Sequence, residues 1–364
     1  MSLTTNAFSK EAVEFVADFV NRPGDRFLYG RTEESKSIAA CVDVDGFIDD
    51  FTSDSEFLGK PCLRLPDVPS NGRVISTIVQ ARPISVIKKL KDRGLAHVDY
   101  FAFLALSGLP VREIPYWKGA RAHHQTNETR YAAVRRALVD SASIDTFDNV
   151  LAFRLDLDLS RMSAFECRLD RMYFEDFLEL PDEGAVFYDI GAWDGSNSRD
   201  FVRHHPRMAQ AALFEPLPAP AASFRSVFSA DSRFLVMEFA LSDVDSDAWF
   251  EVNGTASRML PSDPGSGGVP VAVRALDGLL DRHAGKLLRP HFIKMDIEGA
   301  EIHALRGARA TIAADGPAIA VSVYHHPAHL VEAFEFLRIL RPDYRFRLRH
   351  YTEGYTETVL FATR

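Results

Sequence analysis

The sequence predicts an α/β protein in two parts, a smaller three-layer α/β domain followed by a larger domain built on a doubly wound parallel sheet. Three observations carry that expectation. Val186-Phe187-Tyr188-Asp189-Ile190 is an apolar run that stops at an acid and enters a turn with two glycines, Gly191 and Gly195. A helix length later, Ala211-Ala212-Leu213-Phe214-Glu215-Pro216 is a second apolar run ending in an acid, so the two strands and their connection read as a βαβ unit. Upstream, residues 24–115 show their own strand and helix alternation, and 364 residues suffice for two separate cores.

In the first part, strands are expected at Arg26-Phe27-Leu28-Tyr29, within 41–50 and at Val74-Ile75-Ser76-Thr77-Ile78-Val79. A helix is expected over 84–95, where Ile84, Ile87 and Leu90 recur at three-residue steps. The domain boundaries read as 1–115, a helical connecting segment 116–180 and a second domain 181–364. Within the connection, 125–139 has the pattern of a helix packed on one side, followed by apolar positions from Phe147 to Leu159. His123 and His124 precede it without a third residue at metal-ligand spacing, which favours a solvated loop. Residues 261–270 are rich in Gly, Pro and Ser and read as a loop too short to be a linker.

Composition narrows the partners. A net charge of −9 and no basic stripe interleaved with aromatics argue against nucleic acid. The three cysteines, Cys41, Cys62 and Cys167, lack metal or disulfide spacing and suit a reducing compartment. The start of the chain has Glu11, Glu14 and Asp18 in an amphipathic pattern, and the most apolar interior run, 100–106, is too short to span a bilayer. A cytoplasmic location is expected.

The chemistry resides in the second part. An acid before the first glycine, Asp189, would repel a pyrophosphate but suits a cofactor bearing an ammonium group or a cationic sulfur, and S-adenosylmethionine carries both. Glu215, at the tip of the next strand, is placed to accept hydrogen bonds from ribose hydroxyls. Further on, Phe292-Ile293-Lys294-Met295-Asp296-Ile297-Glu298-Gly299-Ala300-Glu301 is a strand entering a helix whose Ile302, Leu305 and Ile312 share one buried face. Asp296 and Glu298 fall near its carboxyl end, where open α/β sheets bind ligands, and they would share a crevice with Asp189 if the two strands were neighbours. Ala318-Ile319-Ala320-Val321-Ser322-Val323-Tyr324-His325-His326-Pro327 is a further buried strand, ending on two histidines before a proline that starts a helix.

Residues 184–362 resemble the FkbM family of S-adenosylmethionine-dependent methyltransferases. The resemblance is carried by Asp189-Ile190-Gly191-Ala192 with Gly195, Phe214-Glu215-Pro216, Ala275-Leu276-Asp277, and the run from Lys294 to Glu301 with Leu305-Arg306-Gly307. It implies the seven-stranded class I methyltransferase sheet with an antiparallel last strand, and methyl transfer to oxygen, commonly on a sugar. Arg349-His350-Tyr351 and Glu357-Thr358 resemble a subgroup associated with surface polysaccharides and glycosylated products. The substrate-facing loops, especially 253–268, depart from the family pattern. The first domain resembles the Rossmann-like modules fused to sugar-modifying enzymes, but its loop after Tyr29 keeps only Gly30, which favours a structural or homo-oligomerising role over nucleotide binding.

On this reading Asp189 and the Gly191, Ala192 and Gly195 loop hold the methionine end of the cofactor. Glu215 and Pro216 take the ribose, Ala240 and Leu241 flank the adenine, and Asp296 closes the site. His325 is the expected base for the acceptor hydroxyl, because imidazole titrates near neutral pH; its alternative is a bond to the start of the following helix. Asp296 and Glu298 orient the acceptor or, with His325, hold a divalent metal, the less favoured alternative. Two rival functions are a nicotinamide oxidoreductase, opposed by the absence of Gly-x-Gly-x-x-Gly, and a non-catalytic subunit that retains the cofactor. The acceptor is a small molecule or glycan.

Overall fold

The structure is a computed structural model that describes residues 8–251, 258–260 and 268–364. Most of the 253–268 and 261–270 stretches singled out above therefore lies outside the described residues. The chain divides into two compact units. One comprises Met1–Ala122, Asp145–Leu169 and His350–Thr356, the other His123–Ile144, Asp170–Arg349 and Glu357–Arg364.

The first unit is a six-stranded sheet in the order Glu56–Phe57, Lys60–Leu63, Gly46–Ile48, Arg26–Tyr29, Arg73–Ser76, Ala96–Asp99. Its last five strands pair in parallel, and the first is antiparallel to its neighbour. Helices Lys10–Asn21, Glu33–Ala39 and Pro83–Asp92 accompany it. The turn after Tyr29 is filled from within the fold. Gly30 has φ +109°, and a Cβ there would meet the Ile78 side chain at 2.7 Å. Asp50 accepts a 2.6 Å hydrogen bond from Tyr29 Oη, and Asp49 pairs with Arg31 at 3.0 Å, so carboxylates already border the turn.

The expected connecting segment 116–180 has no core of its own and is shared between the units. Residues 145–169 send Phe153 and Met162 into the core of the first unit, beside Leu28, Phe47 and Phe101. Helix Glu128–Ala137 belongs to the second, where Arg130 makes a two-pronged pair with Glu335 at 2.8 and 2.6 Å. His123 and His124 lie in the short helix Ala120–Thr126, not in a loop, and His123 Nδ1 is 3.1 Å from Tyr131 Oη.

Among the described residues the larger sheet of the second unit has seven strands, here labelled β1 (Val186–Ile190), β2 (Gln210–Phe214), β3 (Phe234–Met237), β4 (Phe292–Met295), β5 (Ala318–Ser322), β6 (Arg345–His350) and β7 (Thr358–Thr363), beside a smaller four-stranded sheet. Their order is β3-β2-β1-β4-β5-β7-β6, with β1 to β5 parallel and β7 antiparallel to β5. This is the class I methyltransferase sheet. Every residue of β1, β2 and β4 is buried, which is why these strands read as continuous apolar runs and not as alternating ones. Phe187 stacks on Phe201 and on Phe292 with ring centroids 4.6 and 5.2 Å apart, fixing the following helix, Ser196–His204, against β1 and β4.

The chain leaves β1 for β2 and β3 on one side and returns to β4 on the other. The switch point thus falls between β1 and β4, where ligands of open α/β sheets bind. Among the described residues no helix is long and apolar enough to cross a membrane.

Phe153 is fully buried, with edge-on contacts to Phe101 and Trp117 at 4.7 and 4.9 Å. Phe153→Ala is expected to destabilise the first unit by about 3–5 kcal/mol in denaturant unfolding; a loss below about 1 kcal/mol would remove residues 145–169 from its core.

Candidate active site

The register of β1 against β4 sets Asp189 opposite Lys294. Beyond that pair the two strand ends come so close that a Cβ on Gly191 would collide with the Asp296 carbonyl oxygen. Only glycine fits there, and its φ of +81° is also one that other residues rarely adopt. Gly195, at φ +71°, opens helix Ser196–His204 against Phe224 and Phe228. Gly307, in the last motif, faces the carbonyl of Ser242 with no room for a Cβ. Asp277 accepts hydrogen bonds from the backbone N–H of Ala310 and Thr311 at 2.7 and 2.9 Å, tying down the start of helix Arg309–Asp315.

A cavity of about 530 Å³ opens at the switch point. Its wall includes Gly191 and Ala192 from the first turn, Glu215 and Pro216 from the end of β2, Ala240 and Leu241, and Asp296 and Glu298 from the end of β4. Gly195 and Asp189 stand behind this surface. Glu215 is almost fully buried and accepts from the backbone N–H of Leu217 at 3.0 Å and of Trp193 at 3.2 Å. Burial raises its pKa against those two bonds and the Lys294 charge. The wall also includes Tyr324 and Glu357 beyond β5 and before β7, and the aromatic rings of Trp193, Phe239 and Phe250.

Two expected roles change. Asp189 does not reach the cavity. Its carboxylate is fully buried, accepts from Ser198 Oγ at 2.8 Å and lies 3.2 Å from Lys294 Nζ. The charge expected to meet a cationic cofactor is met inside the fold by a lysine whose Nζ also donates to the carbonyls of Gly191 at 2.6 Å and Ile190 at 3.3 Å. Asp189 therefore acts on the loop through Lys294.

His325 is the second correction. Its side chain has no exposure and lies outside the cavity wall, so it does not reach an acceptor there. Nδ1 is 2.9 Å from Glu301 Oε1, and Nε2 lies 3.6 Å from Asp296 and 3.5 Å from Glu298. Burial alone would lower its pKa, but Glu301, then Asp296 and Glu298, raise it to about 9. At neutral pH the ring is an imidazolium. It has no lone pair to take a proton, and it is a positioning group for three acids.

Glu301 was not singled out from the sequence, yet it organises this corner. It is fully buried, lies 2.9 Å from His325 and 3.2 Å from His329, and accepts the backbone N–H of Ile297 at 2.9 Å. Burial pushes its pKa up, and the two histidines outweigh that and hold it far below the usual carboxylate range. The signals were its place five residues after Asp296 and the four-residue spacing of His325 and His329, a contact that appears only once the strand-to-helix turns are folded. Asp296, Glu301 and His325 each offer a ligand atom within 4.8 Å of the others.

Of the four non-glycine residues with left-handed backbone among the described residues of the second unit, three border the cavity. Trp193 (φ +48°), Glu298 (φ +54°) and Glu357 (φ +70°) all line it. Such conformations cost about 1–3 kcal/mol each and persist where the surroundings impose them, a pattern of functional sites. Tyr173 donates to Asp296 at 2.8 Å from the opposite side.

Residues 189–348 match the family described as the Methyltransferase FkbM domain. The 2-O-methyltransferase NoeI of Sinorhizobium fredii is 32% identical over 153 residues, 37% of this chain and 61% of that protein. This chain thus aligns with less than two thirds of that curated relative. The crystal structure of methyltransferase FkbM from Methylobacillus flagellatus KT superposes with a TM-score of 0.75 at 21% identity, covering 99% of this chain and 95% of that one. The likeness of fold spans both units.

A histidine whose pKa is raised on folding contributes stability that is complete below its unfolded value near 6.5 and is lost as pH rises through about 9. His325→Gln is expected to flatten that part of the melting temperature against pH relative to wild type. Parallel curves over this window would contradict a charged His325.

Proposed function

We propose that the FkbM methyltransferase domain of this chain binds S-adenosylmethionine in the switch-point cavity and transfers its methyl group to a hydroxyl oxygen of a sugar-bearing acceptor. The observation that supports this most is the position of Glu215. A buried carboxylate at the tip of β2 lies on the cavity wall, held by the Trp193 N–H of the turn that only Gly191 permits. Such an acid suits a ribose diol, and the close backbone approach beside it suits the amino-acid end of the cofactor. Ala240 and Leu241 supply small apolar surface for the adenine.

Charge supports the same reading. Asp194, Glu215, Asp296, Glu298 and Glu357 line the cavity, against Lys294, whose charge is matched by Asp189 behind the wall, and His303, which lies 3.3 Å from Asp243. A cavity with excess acid favours a cation over a pyrophosphate, which sets a nicotinamide dinucleotide aside. When bound, the sulfonium supplies an electrophilic methyl carbon and a neutral leaving thioether. The residues of the chain hold the acceptor oxygen in line, exclude water and receive one proton, so most of the acceleration comes from positioning.

Oxygen as the receiving atom is supported by the 2-O-methyltransferase relative. A sugar as its carrier is supported by the rings of Trp193, Phe239 and Phe250 on the cavity wall, since aromatic faces pack against the apolar faces of pyranose rings. Trp193 is 43% exposed, a large apolar surface left open at the cavity. The first unit is proposed to serve assembly or acceptor placement, not cofactor binding.

Glu215→Ala is expected to weaken S-adenosylmethionine and S-adenosylhomocysteine alike by about tenfold or more, since hydrogen bonds to a charged group contribute roughly 1.5–3 kcal/mol each. Titration calorimetry on the folded variant measures this, and unchanged affinity would take Glu215 out of the site. Transfer of labelled methyl to a panel of glycans, compared with small phenols and carboxylic acids, tests the acceptor class.

A further inference from the structure

We propose that Glu357 is the group that takes the proton from the acceptor hydroxyl, and that the positive charge of the bound methyl donor readies it by driving off the proton it otherwise holds. The inference rests on the functional reading above and assigns a base that His325 does not supply.

Geometry comes first. Glu357 immediately precedes β7, on the wall of the cavity and only partly buried. Its left-handed φ of +70° is unusual for a glutamate, so the fold imposes its place. Its Oε1 is 3.4 Å from Tyr324 Oη, and the same hydroxyl is 3.5 Å from Asp296 Oδ1. The charged and titratable groups around it are Asp296 and Glu298 from the end of β4, Tyr324 and His325 from the end of β5, and Tyr173 behind Asp296. Asp296, Glu298 and Glu357 stand against an imidazolium that Glu301 already faces at 2.9 Å, which leaves more negative charge than a low-dielectric site holds readily, so one acid stays protonated. The burden falls on Glu357. Burial and then the Asp296 charge push its pKa up to about 8, with Glu298 adding to the rise and His325 opposing it.

A proton held this way blocks a base until a cation enters. S-adenosylmethionine brings one more positive charge than S-adenosylhomocysteine, and a cation near the three acids favours the ionised form of Glu357. Glu357 then accepts the hydroxyl proton as the oxygen–methyl bond forms and the sulfur–methyl bond breaks, the sulfonium leaving as a neutral thioether. With the donor charge gone, Glu357 retains the proton. The base is thus most fully ionised when the donor is loaded.

The test is calorimetric titration of the full-length protein with each ligand at pH 7.5, in buffers of different ionisation enthalpy. Binding of S-adenosylmethionine is expected to release roughly half a proton or more, and binding of S-adenosylhomocysteine much less. Glu357→Gln, close in shape, is expected to bind S-adenosylhomocysteine as wild type does, lose the difference in proton release and lower methyl transfer by about 10²–10⁴. Equal proton release for the two ligands, or the same difference in Glu357→Gln, would overturn the proposal and leave the cofactor assignment intact. Failure of both ligands to bind the folded wild type would instead overturn the functional reading on which it rests.

Discussion

The close approach of the ends of β1 and β4 is the constraint on which the rest of the second unit depends. Gly191 has no room for a side chain because the Asp296 carbonyl occupies the space, and Lys294 ties the two ends together through Asp189 and the carbonyls of Ile190 and Gly191. With that spacing fixed, the first turn, Glu215 and the end of β4 border one cavity. A lysine and an aspartate buried together gain little stability over an apolar pair, because desolvation offsets most of their attraction. What they contribute here is position. The ammonium donates to the Gly191 carbonyl at the end of β1 and adds a second bond to that of Ile190, which also accepts from the Asp296 N–H.

A second buried charge group sits one strand away and works in the same manner. Glu301 holds His325 and His329, and His325 faces Asp296 and Glu298. An imidazolium behind the wall lets two acids stand together at its surface without both being neutralised by protons. Removing it would leave the acids to share protons, so its effect on chemistry is indirect and passes through them. The two groups divide the labour of the site. The Asp189–Lys294 pair shapes the side of the cavity at the Gly191 turn, and the Glu301–His325 pair sets the charge of the side bordered by Asp296 and Glu298.

The sheet was legible because its strands are buried on both faces and so appear as unbroken apolar runs that stop at acids, as in Val186–Ile190 and Phe292–Met295. The glycine turn and Glu215 were legible because both are local: a strand, a bend, and an acid one strand later. Lys294 was quoted within its motif and yet not given a part, since nothing local tells that its partner is Asp189 on a strand about a hundred residues earlier. His325 was legible as a strand-tip histidine and misread as accessible. Whether such a ring meets solvent or a carboxylate depends on Glu301, which the next helix brings in. Glu357 was noticed only within a family motif, because its environment is assembled from the ends of three strands. The division of the chain was the least legible feature. Residues 145–169 and 350–356 join the first unit through contacts such as Phe153 with Phe101 and Ser85 with Glu353, which leave no mark on local periodicity.

A crystal structure of the protein with S-adenosylhomocysteine decides whether the β1–β4 junction forms a cofactor site with a fixed polarity. The ribose is expected on Glu215, the adenine against Ala240 and Leu241, and the amino-acid end over the Gly191 turn, with Asp189 still paired to Lys294. Density for the ligand in the reverse orientation, in the first unit, or with Lys294 drawn away from Asp189 to meet it would contradict the account.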